Sequence, residues 1–171
     1  MTNFTFDGVH SSIEFQIKHL MVSKVKGTFE QFDVALTGDI NDLSSLQATA
    51  TIIPSSIDTK NADRDNHLRT GDFFATDEFD KITFVTTSVT DNTVTGNLTI
   101  KGVTHEETFD VEFNGVSKNP MDGSQVTGFI VTGKINREAY DMSFNQTLET
   151  GGVMLGKDVK FEAAVEFAIS E

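Results

Sequence analysis

Four histidines, at positions 10, 19, 67 and 105, are the side chains of this 171-residue sequence best suited to acid–base or metal chemistry. There is no cysteine, which excludes thiolate metal sites, cysteine nucleophiles and a disulfide framework. Asp7, His10 and Ser11 have the residue types of a hydrolytic triad. Residues so close in sequence rarely converge as nucleophile, base and orienter, and no nucleophile elbow surrounds Ser11. They read instead as a turn entering a strand, with side chains capping backbone groups. The histidines show none of the close spacings that mark zinc. Asp63 and His67 could offer two ligands from one helix face, but a surface hydrogen bond is the commoner arrangement. His105, beside Glu106 and Glu107, is expected to face solvent. We therefore expect no metal, no cofactor and no catalytic residue.

Binding is the more promising chemistry. His19 follows Ile13, Phe15 and Ile17 at steps of two, which places it on their face at a strand end. Arg64 and His67 are three apart in a segment with helix signals, hence on one face of it. With Arg69 they could form a polar end to an apolar tunnel, where a cation would meet an anionic head group. The competing assignments are a His19 ring bonded to backbone, and ion pairs from Arg64 and Arg69 to Asp63, Asp65 or Asp72.

The elements that would position these residues are strands. Period-2 alternation runs through Ser12–Lys18, Gln31–Thr37, Val94–Ile100, Phe109–Phe113, Phe129–Ile135 and Val159–Ile169. Leu46–Ile53 and Lys81–Val89 are less regular and bring the expected count to eight. Phe29 is out of phase with Phe32, Val34 and Leu36, which suggests a β-bulge near Glu30 and Gln31. Asp91-Asn92 and Asn119–Gly123 read as hairpin turns, so neighbouring strands are antiparallel. Strand length and glycines inside strands, Gly96 and Gly133, favour a barrel over a two-sheet sandwich. Asp58–Arg69 is expected to be a short helix between the third and fourth strands, covering one end, with Phe73 and Phe74 plugging it. Leu148–Leu155 reads as a flexible loop at a barrel mouth. The whole chain, 1–171, is expected to be one domain.

Register then nominates the tunnel wall: Phe15, Ile17, Phe32, Val34, Phe84, Leu98, Phe129, Val131, Phe161 and Val165. Gly96, Gly133 and Ala163 share that register and would leave room. The alternative is that the phenylalanines simply pack a filled core.

Composition agrees with sheet. Val, Ile and Thr make up 48 of 171 residues and Phe another 15, while Ala (9) and Leu (8) are scarce. The net charge of -13 argues against a general nucleic-acid binder or a broadly basic membrane-bound surface. No apolar run reaches the length of a membrane span, and Met1–His10 resembles no secretory signal. A soluble cytoplasmic protein is the expectation.

Several segments, in order, resemble the YceI-like family. They are Asp7-Gly8-Val9-His10-Ser11-Ser12 with Phe15, Lys18–Ser23, Lys26–Phe29, Ile57-Asp58-Thr59, Arg64-Asp65, His67-Leu68-Arg69, Asp72-Phe73-Phe74, Gly96–Thr104, Ile135-Asn136-Arg137 and Gly156 with the final strand. The resemblance implies an all-β, lipocalin-like antiparallel barrel that takes up a long polyisoprenoid or similar amphiphile, and a homodimer. Many members carry a secretory signal, and this sequence begins without one. The leading reading is non-catalytic binding, sequestration or transport of such a lipid. An enzyme holding an isoprenoid-like substrate in the same tunnel, and a packed structural or stress-related protein, are the alternatives.

Overall fold

The computed structural model describes residues 2–20, 22–145 and 154–170. Most of the glycine-rich loop expected at 148–155 lies outside the described residues. Ten strands form one antiparallel sheet: β1 Asn3–His19, β2 Ser23–Phe29, β3 Phe32–Asp39, β4 Asp42–Ile52, β5 Ile57–Asp58, β6 Ile82–Val89, β7 Thr93–Ile100, β8 Val103–Lys118, β9 Gln125–Asn136 and β10 Asp158–Ser170. Their spatial order is β3-β4-β6-β7-β8-β9-β10-β1-β2-β5. The sheet curls until the start of β1 reaches β3, where Thr2 N donates to Gly38 O (3.0 Å) and Ile40 N to Thr2 Oγ1 (3.0 Å). The all-β, lipocalin-like architecture is as the sequence suggested, with ten strands in place of eight.

The two extra strands, β2 and β5, have clear causes. Phe29 closes β2 and Phe32 opens β3, so their phase difference marks a break between two strands at Glu30 and Gln31 rather than a bulge within one. β5 has only two residues, paired through Thr28↔Asp58 and Phe29↔Ile57. It takes Asp58, the first residue of the expected helix, and α1 starts only at Ala62 and spans Ala62–Leu68, with Asn61 as its N-cap accepting from Arg64 N (3.0 Å).

Bulges supply the curvature. In β1 the pairing with β10 jumps from Asp7↔Glu166 to Ser12↔Ala164, leaving Gly8–Ser11 partly unpaired. The β8–β9 ladder shifts between Phe113 and Val116, where Gly115 has φ +79°. The bulge in β1 also changes which residues face inward. Phe6 packs on Phe32 and Phe167 from an even position, whereas Ile13, Phe15 and Ile17 line the interior from odd ones.

Candidate functional site: an apolar chamber with one polar end

The concave face of the sheet encloses a cavity of ≈ 410 Å³. That is within the roughly 300–1,000 Å³ range of small-molecule sites. Of the expected wall residues, Phe15, Ile17, Val34, Phe84, Leu98, Phe129, Val131, Phe161 and Val165 line it. Phe32 does not; its ring meets Phe6 edge-on, with centroids 5.6 Å apart. Many rings nevertheless crowd the interior, among them Phe109 edge-on to Phe161 at 4.8 Å.

The inward glycines work differently from the sequence expectation. A Cβ on Gly133 would lie 2.5 Å from Phe109 Cδ1 and 3.1 Å from Phe161 Cε1. One on Gly96 would lie 2.9 Å from Phe84 Cζ. At Gly133 the space left by the missing side chain is occupied by aromatic rings from the neighbouring strands, and at Gly96 by the backbone of β6, with Val85 O 2.5 Å from such a Cβ, together with the Phe84 ring. These glycines admit close approach of neighbouring rings and backbone; they do not leave empty volume.

Polar side chains reach the chamber at the end formed by α1, the close of β1 and the start of β10. His19, Arg64, His67 and Arg137 line it there. His19 forms a bridge to Leu155 through its backbone, and its imidazole has no hydrogen-bond partner among the described residues. The expected backbone bond to a buried His19 ring is absent among them. Arg64 Nε donates to Thr59 Oγ1 (2.8 Å) and its Nη2 to Thr59 O (2.6 Å). Asp65, buried at the start of α1, accepts from Thr59 N (2.9 Å) and Thr59 Oγ1 (2.5 Å), so one carboxylate orients the threonine that orients the guanidinium. His67 Nε2 donates to Asp72 Oδ2 (2.9 Å), and its ring lies edge-on to Phe73 and Phe144. Arg69 stays outside the chamber. It ties the end of α1 to the preceding segment through Ser55 O (3.0 Å) and Ile57 O (3.4 Å), and bonds Asn66 Oδ1 within the helix (2.9 Å). Neither Arg64 nor Arg69 forms an ion pair among the described residues.

Arg137 is the polar residue that sequence reasoning missed. It is 2% exposed, yet it meets no carboxylate among the described residues. Nε donates to Gly156 O (2.8 Å), and Nη1 to Met142 O (2.5 Å) and Phe144 O (2.9 Å). Nη2 is buried without a partner among the described residues. Burial lowers the pKa of this guanidinium, but from so high a starting value that it stays charged. The signal was available: Arg137 continues the odd-numbered inward series Phe129, Val131, Gly133, Ile135. Beside it, Tyr140 is 1% exposed and edge-on to His105, whose Nε2 donates to Ala139 O (2.8 Å). Burial, with Glu107 nearby, pushes the Tyr140 pKa up.

The Asp7–His10–Ser11 motif is not a turn entering the first strand but the bulge inside β1, where its side chains cap backbone groups as expected. Asp7 Oδ1 accepts from Val9 N (3.0 Å) and His10 N (3.2 Å), and Ser11 Oγ donates to Asp7 O (2.6 Å) while accepting from Glu166 N (3.0 Å). Ser11 is thus committed to backbone, and it forms no nucleophile–base pair among the described residues. Asp7, His10 and Glu166 place three potential metal-ligand atoms within 4.8 Å of one another, outside the chamber. His10 is exposed there, and its Nδ1–Asp7 Oδ2 contact (2.8 Å) accounts for the grouping.

Comparison with known proteins agrees with this architecture. The model of the YceI-like domain matches residues 4–167. The UPF0312 protein SAB2563 of Staphylococcus aureus (strain bovine RF122 / ET3-1) is 81% identical over 171 residues, all of both chains. Among solved structures, a YCEI protein of Campylobacter jejuni is 32% identical, with TM-score 0.76 and all of both chains covered. A polyisoprenoid binding domain from Saccharophagus degradans shares the fold at TM-score 0.67 and 12% identity, over 99% of this chain and 100% of that one. No helix among the described residues is long and apolar enough to cross a membrane. A curled ten-stranded sheet around an apolar chamber, and a family match over nearly its full length, place this chain in the YceI-like family.

Proposed function

We propose that the protein binds and carries, without chemically changing it, a long-chain polyisoprenoid or similar amphiphilic lipid. The observation that carries this reading is the asymmetry of the chamber: its wall is apolar but for Thr86, whose hydroxyl accepts from Ala48 N, and its histidine and arginine side chains gather at one end. Each buried CH₂-sized group of a ligand tail contributes about 0.8 kcal/mol of gross driving force, reduced by the costs of ordering and association. Arg137 supports an oxygen-bearing head group, because its buried Nη2 has a hydrogen-bonding capacity that no described residue fills. The polyisoprenoid class comes from the family and from the likeness to the polyisoprenoid binding domain of Saccharophagus degradans. Binding is favoured over catalysis because Ser11 is tied to backbone, Arg64 to Thr59 and His67 to Asp72.

Native mass spectrometry of the purified protein, followed by solvent extraction, tests the reading. A bound lipid of defined mass, released chemically unchanged, is the expected result. An empty protein that refuses prenyl alcohols and prenyl phosphates would overturn it, and recovery of a converted product would shift the assignment to an enzyme.

A further inference from the structure

We propose that the end of the molecule carrying the polar side of the chamber docks on an anionic lipid bilayer. The proposal goes beyond the carrier reading, because it concerns the outer surface and names a second partner. Its basis is a concentration of cations in a chain of net charge -13. Lys18, Lys24, Lys134, Lys157 and Lys160 border one surface cleft, with Glu138 and Asp158 the only acids among its lining residues. Register adds Lys26, which is opposite Gln16, itself opposite Lys160, and Lys160 is opposite Lys134. At that level β2, β10 and β9 turn lysines outward around Gln16 of β1, and one outward step further Lys18 of β1 faces Lys24 of β2. All six are exposed, and none forms an ion pair among the described residues. One step the other way along the strands, Glu14 faces Glu162, so the basic surface stops where an acidic row begins.

A second observation identifies the partner as a bilayer. The turn from β1 to β2 exposes Leu20 (41%) and Val22 (87%), between Lys18 and Lys24. Apolar side chains at a tip, ringed by long cationic ones, suit an interface where the tip enters the acyl boundary and the ammonium groups meet phosphates. Lysines near an anionic surface act additively, and their effect is confined to about a Debye length, so a local patch can attract where the distant net charge does not. The opposite end gives the contrast. Its β8–β9 turn exposes Met121 (91%) but sets Asp122 beside it, with Lys118 the nearest cation in sequence. Location also fits the partner, because the inner faces of the same strand ends carry His19, Leu155 and Arg137 into the chamber.

Cosedimentation of the full chain with vesicles is the test. Phosphatidylcholine vesicles containing a one-third share of phosphatidylglycerol are expected to bind the protein, pure phosphatidylcholine vesicles to bind it far less, and high salt to release it. The triple change K134E/K157E/K160E should weaken binding about tenfold or more. Val22→Asp should weaken it as well, while Lys118→Glu leaves it unchanged; all variants should melt as the wild type does. Equal binding to neutral vesicles, no binding to anionic ones, or full binding by the triple variant would overturn the proposal. So would equal capture by soluble polyglutamate, which would point to an acidic protein. Lipid content measured by extraction is scored separately, so the docking surface and the chamber can fail independently.

Discussion

At the polar end of the chamber, Asp65, Arg64 and Arg137 are held chiefly by backbone and a threonine rather than by opposite charges. Asp65 is the most consequential for stability, because it satisfies two donors of Thr59 within a buried turn. Asp65→Ala leaves those donors unpaired and should lower the unfolding free energy by about 1–3 kcal/mol in urea titrations; Asp65→Asn, which keeps an acceptor, should cost less. His10 gives a pH prediction. Its hydrogen bond to Asp7 and the nearby Glu166 raise the imidazole pKa, while the same contact lowers that of Asp7. The stabilisation from His10 is therefore full below its unfolded pKa and is lost as pH rises through the raised folded value. The contribution of Asp7 is present above its unfolded pKa and is lost as pH falls through its depressed one. NMR titration should find His10 above the usual histidine value, and Asp7→Asn should bring it back down. An unshifted His10 in the wild type would show that the pair does not persist in solution.

Among the strands, the glycines explain both what was legible and what was not. Long alternating runs such as Val159–Ile169 announced β10 because every inward position carries a side chain. β2 was hidden because its middle inward residue is Gly27, and the Phe15 ring fills the place where a side chain would be. With only Val25 and Phe29 to show a period, Phe29 looked like an irregularity in the next strand. The polar end was half legible: parity put His19 at the chamber, and helix spacing put Arg64 and His67 together. Arg69 was assigned by proximity in sequence, and the rotation of α1 turns it away. The reinterpreted glycines are testable. If Gly133 kept volume open, Gly133→Ala would be harmless; because Phe109 occupies that volume, the added methyl should cost about 1–3 kcal/mol through displaced rings. A Gly133→Ala variant with wild-type stability, measured by denaturant unfolding, would refute the packing account.

For the whole molecule, net charge proved a poor guide to local surface. The sum of -13 argued against a charge-held membrane protein, yet the lysines of β1, β2, β9 and β10 become neighbours only through strand register. No stretch of sequence shows that patch, since its members come from distant segments. The fold thus puts two faces of the same strand ends to different use: lysines outward and the polar end of an apolar chamber inward. If these are the docking and carrying halves of one carrier, separate changes should part them. Val131→Trp, which places a large ring in the chamber, should abolish lipid retention and the rise in melting temperature that a ligand gives the wild type, while leaving vesicle binding intact. The K134E/K157E/K160E variant should keep lipid added in solution but exchange it slowly with anionic vesicles. Transfer of a fluorescent prenyl lipid between vesicles should then be lost in both variants, for different reasons. Transfer at the wild-type rate by the charge-reversed variant would separate the patch from lipid exchange, leaving the chamber to load from solution.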